Sequence, residues 1–220
     1  MLAIILSLTL AVGMEQMLEP VAILTEPTRG DLEIKVFSGR ANTDEVFWFT
    51  TDAITRDIRP AELERLVKAL EGSPYAERGD ALESACHAAL VVHRGNHSWL
   101  FVYEILWVTL GSRELDMLVK LYADDWRFHL MRGVAHYRTA SNYGKLRQSY
   151  IDLQFVYEKY SQNYGTDEIV KWIRLWQGNL SRRRGDLPLA RQLWQEVAGY
   201  GEPNPFKKLA ESLLAQTQAQ

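Results

Sequence analysis

The sequence predicts a mainly α protein, an α-solenoid of antiparallel helix pairs led by a small N-terminal β-hairpin. Three observations carry that expectation. From Asp57 to the C-terminus, apolar residues recur every three or four positions, the period of a helix with one buried face. Those stretches are short and are separated by Gly, Pro and cap signals rather than by long linkers, which favours antiparallel neighbours. Ahead of Asp57 the pattern changes, and two short segments carry strand-like alternation or composition.

The chain opens on an uncharged apolar run, residues 1–12, too short to span a bilayer. Residues 1–13 have the length of a signal-peptide core, and Ala11-Val12-Gly13 supplies small residues for cleavage. No Lys or Arg precedes the run, so a true start at Met14 and a buried helix stand as alternatives. A signal peptide would place the mature protein in the periplasm or outside the cell; otherwise it is cytoplasmic. Glu19-Pro20 and Glu26-Pro27 then argue against a helix, because proline lacks the N–H donor and restricts the residue before it. In 32–37, Leu32, Ile34 and Val36 alternate; 45–51 is rich in aromatic and β-branched residues. The turn-rich stretch 38–44 joins them, so residues 20–52 read as a hairpin that must pack on the helices downstream.

Residues 57–220 read as one helical domain. Pro60 suits a first turn; Leu63, Leu66, Val67 and Leu70 share a face, and Gly72 with Pro74 ends the helix. Asp80 and Glu83 cap a second helix that turns Leu82, Ala85, Cys86, Ala89 and Leu90 inward and stops near Gly95. The stretch 98–110 is apolar on nearly every side and reads as a helix buried between neighbours, closed by Gly111. Ser112 opens the next, with Leu115, Leu118, Val119 and Tyr122 in one stripe. Asp124 or Asp125 caps a helix to about Tyr137, and another covers about 145–160. Thr166, Asp167 and Glu168 open the next with an acidic first turn suited to the helix dipole. The last two run over about 187–197 and 205–217.

Residues 171–204 resemble a tetratricopeptide repeat. Gly178-Asn179 lies where the first helix of such a repeat carries its small residue, and Gly185-Asp186 matches the turn. Ala190, Trp194 and Val197 match the small, aromatic and final apolar positions of the second helix; Pro203 falls one place late. Arg174 replaces the usual early Trp, and Ser181 replaces the usual Tyr. Gly133 fits the same small position upstream, although the loop through Ala140 to Gly144 is lengthened. The resemblance implies close helix approach at Gly178 and Ala190, with Trp194 filling the gap to the next repeat. It also implies a peptide-binding inner face carrying Trp172, Leu175, Asn179, Arg182 and Arg183, with Asn179 on a bound backbone and the arginines on a carboxylate, although Arg182-Arg183-Arg184 also reads as a solvated charge run beside a turn.

Composition bounds the rest. The net charge of -3 gives no concentrated basic surface for nucleic acid, and 47% hydrophobic residues exclude wholesale disorder. The single cysteine, Cys86, sits among small apolar residues and reads as structural. No phosphate loop, nucleophile elbow or zinc-protease helix is present, and no cofactor is expected. Asp125, His129 and His136 share one helical face, the arrangement of a small metal or catalytic site; with no further ligand evident, a cap at Asp125 and histidines hydrogen-bonded in a helix interface is the plainer reading. His93 and His97 flank Gly95 and form a second, weaker metal candidate. Asn96-His97-Ser98 and Asn179-Leu180-Ser181 are glycosylation sequons in form only. The sequence thus points to a non-catalytic adaptor or assembly factor that holds a protein or peptide partner, with no stable membrane span. A small enzyme using Asp125, His129 and His136 is one rival. A subunit that exposes part of the 99–110 helix to a partner is the other.

Overall fold

A computed structural model describes residues 24, 26–72, 74–139, 143–164, 168–201 and 205–218. The run 1–13, the loop residues 140–142, the opener at Thr166 and Asp167, and Pro203 lie outside them. Among the described residues every regular element is a helix: α1 (Glu26–Phe37), α2 (Thr43–Arg56), α3 (Pro60–Glu71), the single turn α4 (Tyr75–Arg78), α5 (Ala81–Asn96) and α6 (Phe101–Leu121), then α7 (Trp126–Tyr137), α8 (Leu146–Tyr164), α9 (Glu168–Arg183), α10 (Leu187–Ala198) and α11 (Pro205–Gln218). None of them is long and apolar enough to cross a membrane.

The expected hairpin over 20–52 is overturned, since both of its strand segments are helical. Pro27 sits in the first turn of α1, where the missing N–H would have had no intrahelical partner. α2 is set by its cap: Asn42 accepts from the Glu45 amide at 2.9 Å, and the Glu45 carboxylate accepts from the Asn42 amide at 2.9 Å. Val46, Phe47, Thr50, Ala53 and Ile54 then fall on one buried helical face, and that burial outweighs the strand propensity of the aromatic and β-branched types.

α5 is the centre of the first half. It packs against α2, α3, α6 and α7. Asp80 caps it by accepting from the Leu82 and Glu83 amides, and its residues are buried on every side from Ala88 to His93. Against α6 the two backbones come very close. A Cβ at Gly111 would lie 2.5 Å from the Ala88 carbonyl oxygen, and one at Gly95 would lie 2.8 Å from Val108. Gly95 and Gly111 are therefore sites of close approach, and Gly111 does not end a helix. The predicted pair of helices over 98–122 is one continuous α6, and it is not buried between neighbours: α5 covers one side and the other faces solvent.

From α7 onward the helices pack mainly on their neighbours in the chain, α7 on α8, α8 on α9, α9 on α10 and α10 on α11. Two buried carboxylates tie the halves internally. Asp52 accepts from Arg29 at 2.9 Å and Arg56 at 2.6 Å. Asp152 on α8 accepts from Arg132 at 2.8 Å on both oxygens and pairs with His129 at 2.9 Å, while Arg132 reaches on to Asp116 of α6. Burial alone would raise the Asp152 pKa, but the His129 and Arg132 contacts outweigh it and hold the carboxyl below its usual range.

Candidate functional site

The structure separates the residues expected to form a metal or catalytic constellation on α7. Asp125 is the N-cap, accepting from the Arg127 amide at 3.0 Å and pairing with its guanidinium. His129 bridges Asp152 and the Ala123 carbonyl. His136 is fully buried about two turns further along the helix, 3.0 Å from the Ser112 hydroxyl. Burial, with Lys145 adding to it, lowers the His136 pKa to about 3, so the ring is neutral. Each residue is engaged in a cap or an interhelical bridge.

Of the expected groove residues of α9, Trp172, Leu175, Asn179 and Arg183 are packing residues, and Arg182 is half-buried beside them. Trp172 and Leu175 are fully buried, and Trp172 stacks at a tilt on Trp176. Asn179 is buried and accepts from the Trp194 indole at 3.1 Å. Trp194 itself lies across Gly178, where a Cβ would meet the indole at 2.5 Å, so it fills the space inside its own helix pair. Arg183 donates to the carbonyls of Tyr137 and Thr139, tying α9 to the end of α7. These side chains come together as an interhelical core, and the three buried ones cannot touch a partner without unpacking it.

The open surface lies elsewhere, on α6. Its inner face is buried through Val108, Gly111, Ser112, Leu115, Leu118 and Val119. Outward, a stripe spaced three or four apart runs through Val102, Leu106, Leu110, Arg113, Met117 and Leu121, with Trp99 just ahead of the helix. Trp99 is 88% exposed, Val102 74%, Leu121 68% and Met117 53%. With the flanking Phe101 and Tyr103, this is on the order of 800 Å² of apolar surface, above the few hundred Å² usual for the largest patch on a monomer. The acidic Asp116 beside the stripe is neutralised by Arg132 and Lys145. Arg113 and Lys120 are exposed and make no ion pair among the described residues.

One compact polar cluster sits where α2 ends against the α5–α6 turn. Asp57, the C-cap of α2, has φ 59° and is the one non-glycine with positive φ among the described residues. That backbone turns its carboxylate toward two imidazoles, His93 of α5 and His97 just beyond its end. Asp57 Oδ1 lies 3.2 Å from His97 Nε2 and 3.6 Å from His93 Nε2, and the two Nε2 atoms are 3.3 Å apart. Arg138 holds the second carboxylate oxygen at 3.3 Å and is itself anchored on the Thr55 carbonyl. The hydrogen bond from His97 lowers the Asp57 pKa against the opposing effect of burial, with Arg138 assisting. Burial, then the neighbouring His97, drives the His93 pKa down to about 3. Asp57, His93 and His97 are thus a set of donors whose ligand atoms all lie within 4.8 Å of one another. The two histidines stand out in the sequence, but nothing local pairs them with Asp57, which belongs to the end of a different helix.

Compared with known proteins, the chain matches no family model, no curated protein and no solved structure.

Proposed function

We propose that the protein is a non-catalytic adaptor or assembly factor whose working surface is the outer face of α6. The partner we assign to it is an amphipathic helix of another protein, with an apolar stripe and acidic residues that lie over Arg113 and Lys120. The observation that carries this reading is a helix apolar on both sides and covered on only one. Its exposed area is close to the ~800 Å² that each partner contributes to a standard protein–protein interface. A straight stripe at three- and four-residue spacing, running about 30 Å along the helix, fits the apolar face of another helix laid alongside it. The unpaired basic pair at the C-terminal half supplies the charge that would fix direction and register. We further read α9 and α10 as a degenerate tetratricopeptide-like pair and α7 to α11 as a short solenoid. The Gly178–Trp194 contact and the chain-order packing support that. In this reading the α9 side chains hold the scaffold and α6 holds the partner.

A photo-crosslinking residue placed at Val102 or at Met117 of the full chain, in its native cells, tests the assignment. The expected adduct is an amphipathic segment of another protein with acidic residues near the Met117 site, lost in Leu106→Asp and displaced along the stripe in Arg113→Glu/Lys120→Glu. Adducts only with lipid, with residues 1–13 or with a second copy of the chain would overturn it.

A further inference from the structure

We propose that Asp57, His93 and His97 bind one zinc-class divalent ion, which fastens the end of α2 to the turn that leads into α6. The geometry selects the ion class. In a tetrahedral site with bonds of 2.0–2.1 Å the ligand atoms lie about 3.3–3.4 Å apart, whereas adjacent positions of an octahedron lie about 3.0 Å apart. The three donor separations, 3.2, 3.3 and 3.6 Å, cluster around the tetrahedral value. Two imidazoles and one carboxylate suit zinc, cobalt or nickel rather than calcium or magnesium, which take oxygen ligands.

A second observation points the same way. His93 is fully buried, yet its Nδ1 has no hydrogen-bond partner, and its Nε2 faces another imidazole nitrogen and a carboxylate oxygen. A neutral ring cannot satisfy that environment on both edges, and a buried polar group left in this state costs free energy. A cation between the three donor atoms would take up the crowded Nε2 edge in place of the imidazole–imidazole contact and fix the ring proton on Nδ1. Arg138 acts as the outer-shell partner that aims the carboxylate, although its charge also weakens the field on a cation. Asp57 and His97 are each about a quarter exposed at the side chain, which leaves an entry path and room for solvent as a fourth ligand. His97 also lines a cavity of about 300 Å³ with Pro60, Leu63, Arg94, Tyr103 and Trp107, so the ion would sit beside the first turn of α6.

The test is titration of chelator-stripped, full-length protein with Co²⁺, followed by absorption. One ion per chain with the intense ligand-field bands of four-coordinate cobalt, displaced by Zn²⁺, is the expected result. His97→Gln and Asp57→Gly should each weaken Co²⁺ binding at least ~100-fold. Asp57→Gly relieves the left-handed backbone, so its helical spectrum should be retained and the loss assigned to the ligand. His87→Gln, on the same helix as His93 but paired with Glu71, should bind as wild type does. No saturable binding, a six-coordinate spectrum, or unchanged affinity in both ligand variants would overturn the site.

Discussion

The two halves of the molecule use similar helices in different ways. In the first, α5 is buried from Ala88 to His93 without a break and is touched by α2, α3, α6 and α7. In the second, α10 buries only Ala190, Leu193, Trp194 and Val197, a single stripe, and lies between its neighbours in the chain. α5 has 16 residues and α10 has 12, but the telling difference is how far round the helix the buried residues extend. Here α5, buried all round, is a hub, and α10, with its single stripe, packs mainly on its chain neighbours. α6 is the exception that suggests a role: it has the hub's composition but a row member's coverage, so half its apolar surface faces water.

The largest expected effect lies at the joint between the halves. Asp152→Ala leaves Arg132 buried without its main partner and unties α8 from α7 and, through Arg132, from Asp116 of α6. Breaking one side of a buried pair should lower stability by about 3–5 kcal/mol, read as a shift of the urea midpoint. A loss below ~1 kcal/mol would mean that this ion pair adds little to the apolar packing of α7 on α8 and α6. The next effect separates a hub contact from a row contact. Gly111→Ala drives a Cβ against the Ala88 carbonyl oxygen, and backbone has little room to give. It should cost about 2–3 kcal/mol despite the ~1 kcal/mol that alanine gains in helix propensity. Gly178→Ala meets the Trp194 ring instead, a side chain that can tilt at the expense of its bond to Asn179. It should cost about 1–2 kcal/mol, and the reverse order would contradict the distinction.

Much of the second half is legible in the sequence, because its caps and, in α10, a single apolar stripe are local patterns. Asp80, Asp125 and Asp186 each cap a helix where the sequence places a cap or a turn. The first helices are not legible. Val46-Phe47-Trp48-Phe49-Thr50-Thr51 has strand composition, and only burial against α5 decides for helix, although the Asn42–Glu45 capping box is a local sign of one. Gly111 mimics a helix end, because a glycine that admits a neighbouring backbone looks the same in sequence as one that ends a helix, whereas α5 does end at Asn96, next to Gly95. For the sites the division is similar. His93 and His97 are visible as a pair four apart, whereas their partner Asp57 is supplied by a tertiary contact. Likeness to a repeat puts the α9 residues on an inner face, and the packing of α8 and α10 around α9 fills that face.

A smaller effect arises from the neutral state of His136. Its folded pKa of about 3 lies below the ordinary 6.5, so the folded chain does not take up the proton that the unfolded chain binds. The stability tied to this group is fully present above pH 6.5 and declines as the pH falls from there toward 3. Between pH 7.5 and 5 the wild type should lose about 2 kcal/mol more than His136→Gln, measured by urea unfolding at each pH. Equal losses would mean that the ring accepts a proton while the Ser112 contact persists.

The smallest effect gives the sharpest view of hub against row. Asp80 caps α5 by accepting from two amides at 2.8 and 3.1 Å, and Asp186 caps α10 by accepting from the Leu189 amide at 3.2 Å. Replacing either by alanine should cost about 1 kcal/mol, so overall stability hardly tells them apart. Their reach should differ. A loosened α10 can open with α11 while α8 stays packed on α7, so in Asp186→Ala faster amide exchange should be confined to α10 and α11. A loosened α5 withdraws support from α2, α3, α6 and α7 together, so Asp80→Ala should raise exchange across all of them. If Asp186→Ala accelerated exchange in α5 as much as in α11, the row would open as one unit with the hub, and coverage around a helix would not set how far a local opening spreads.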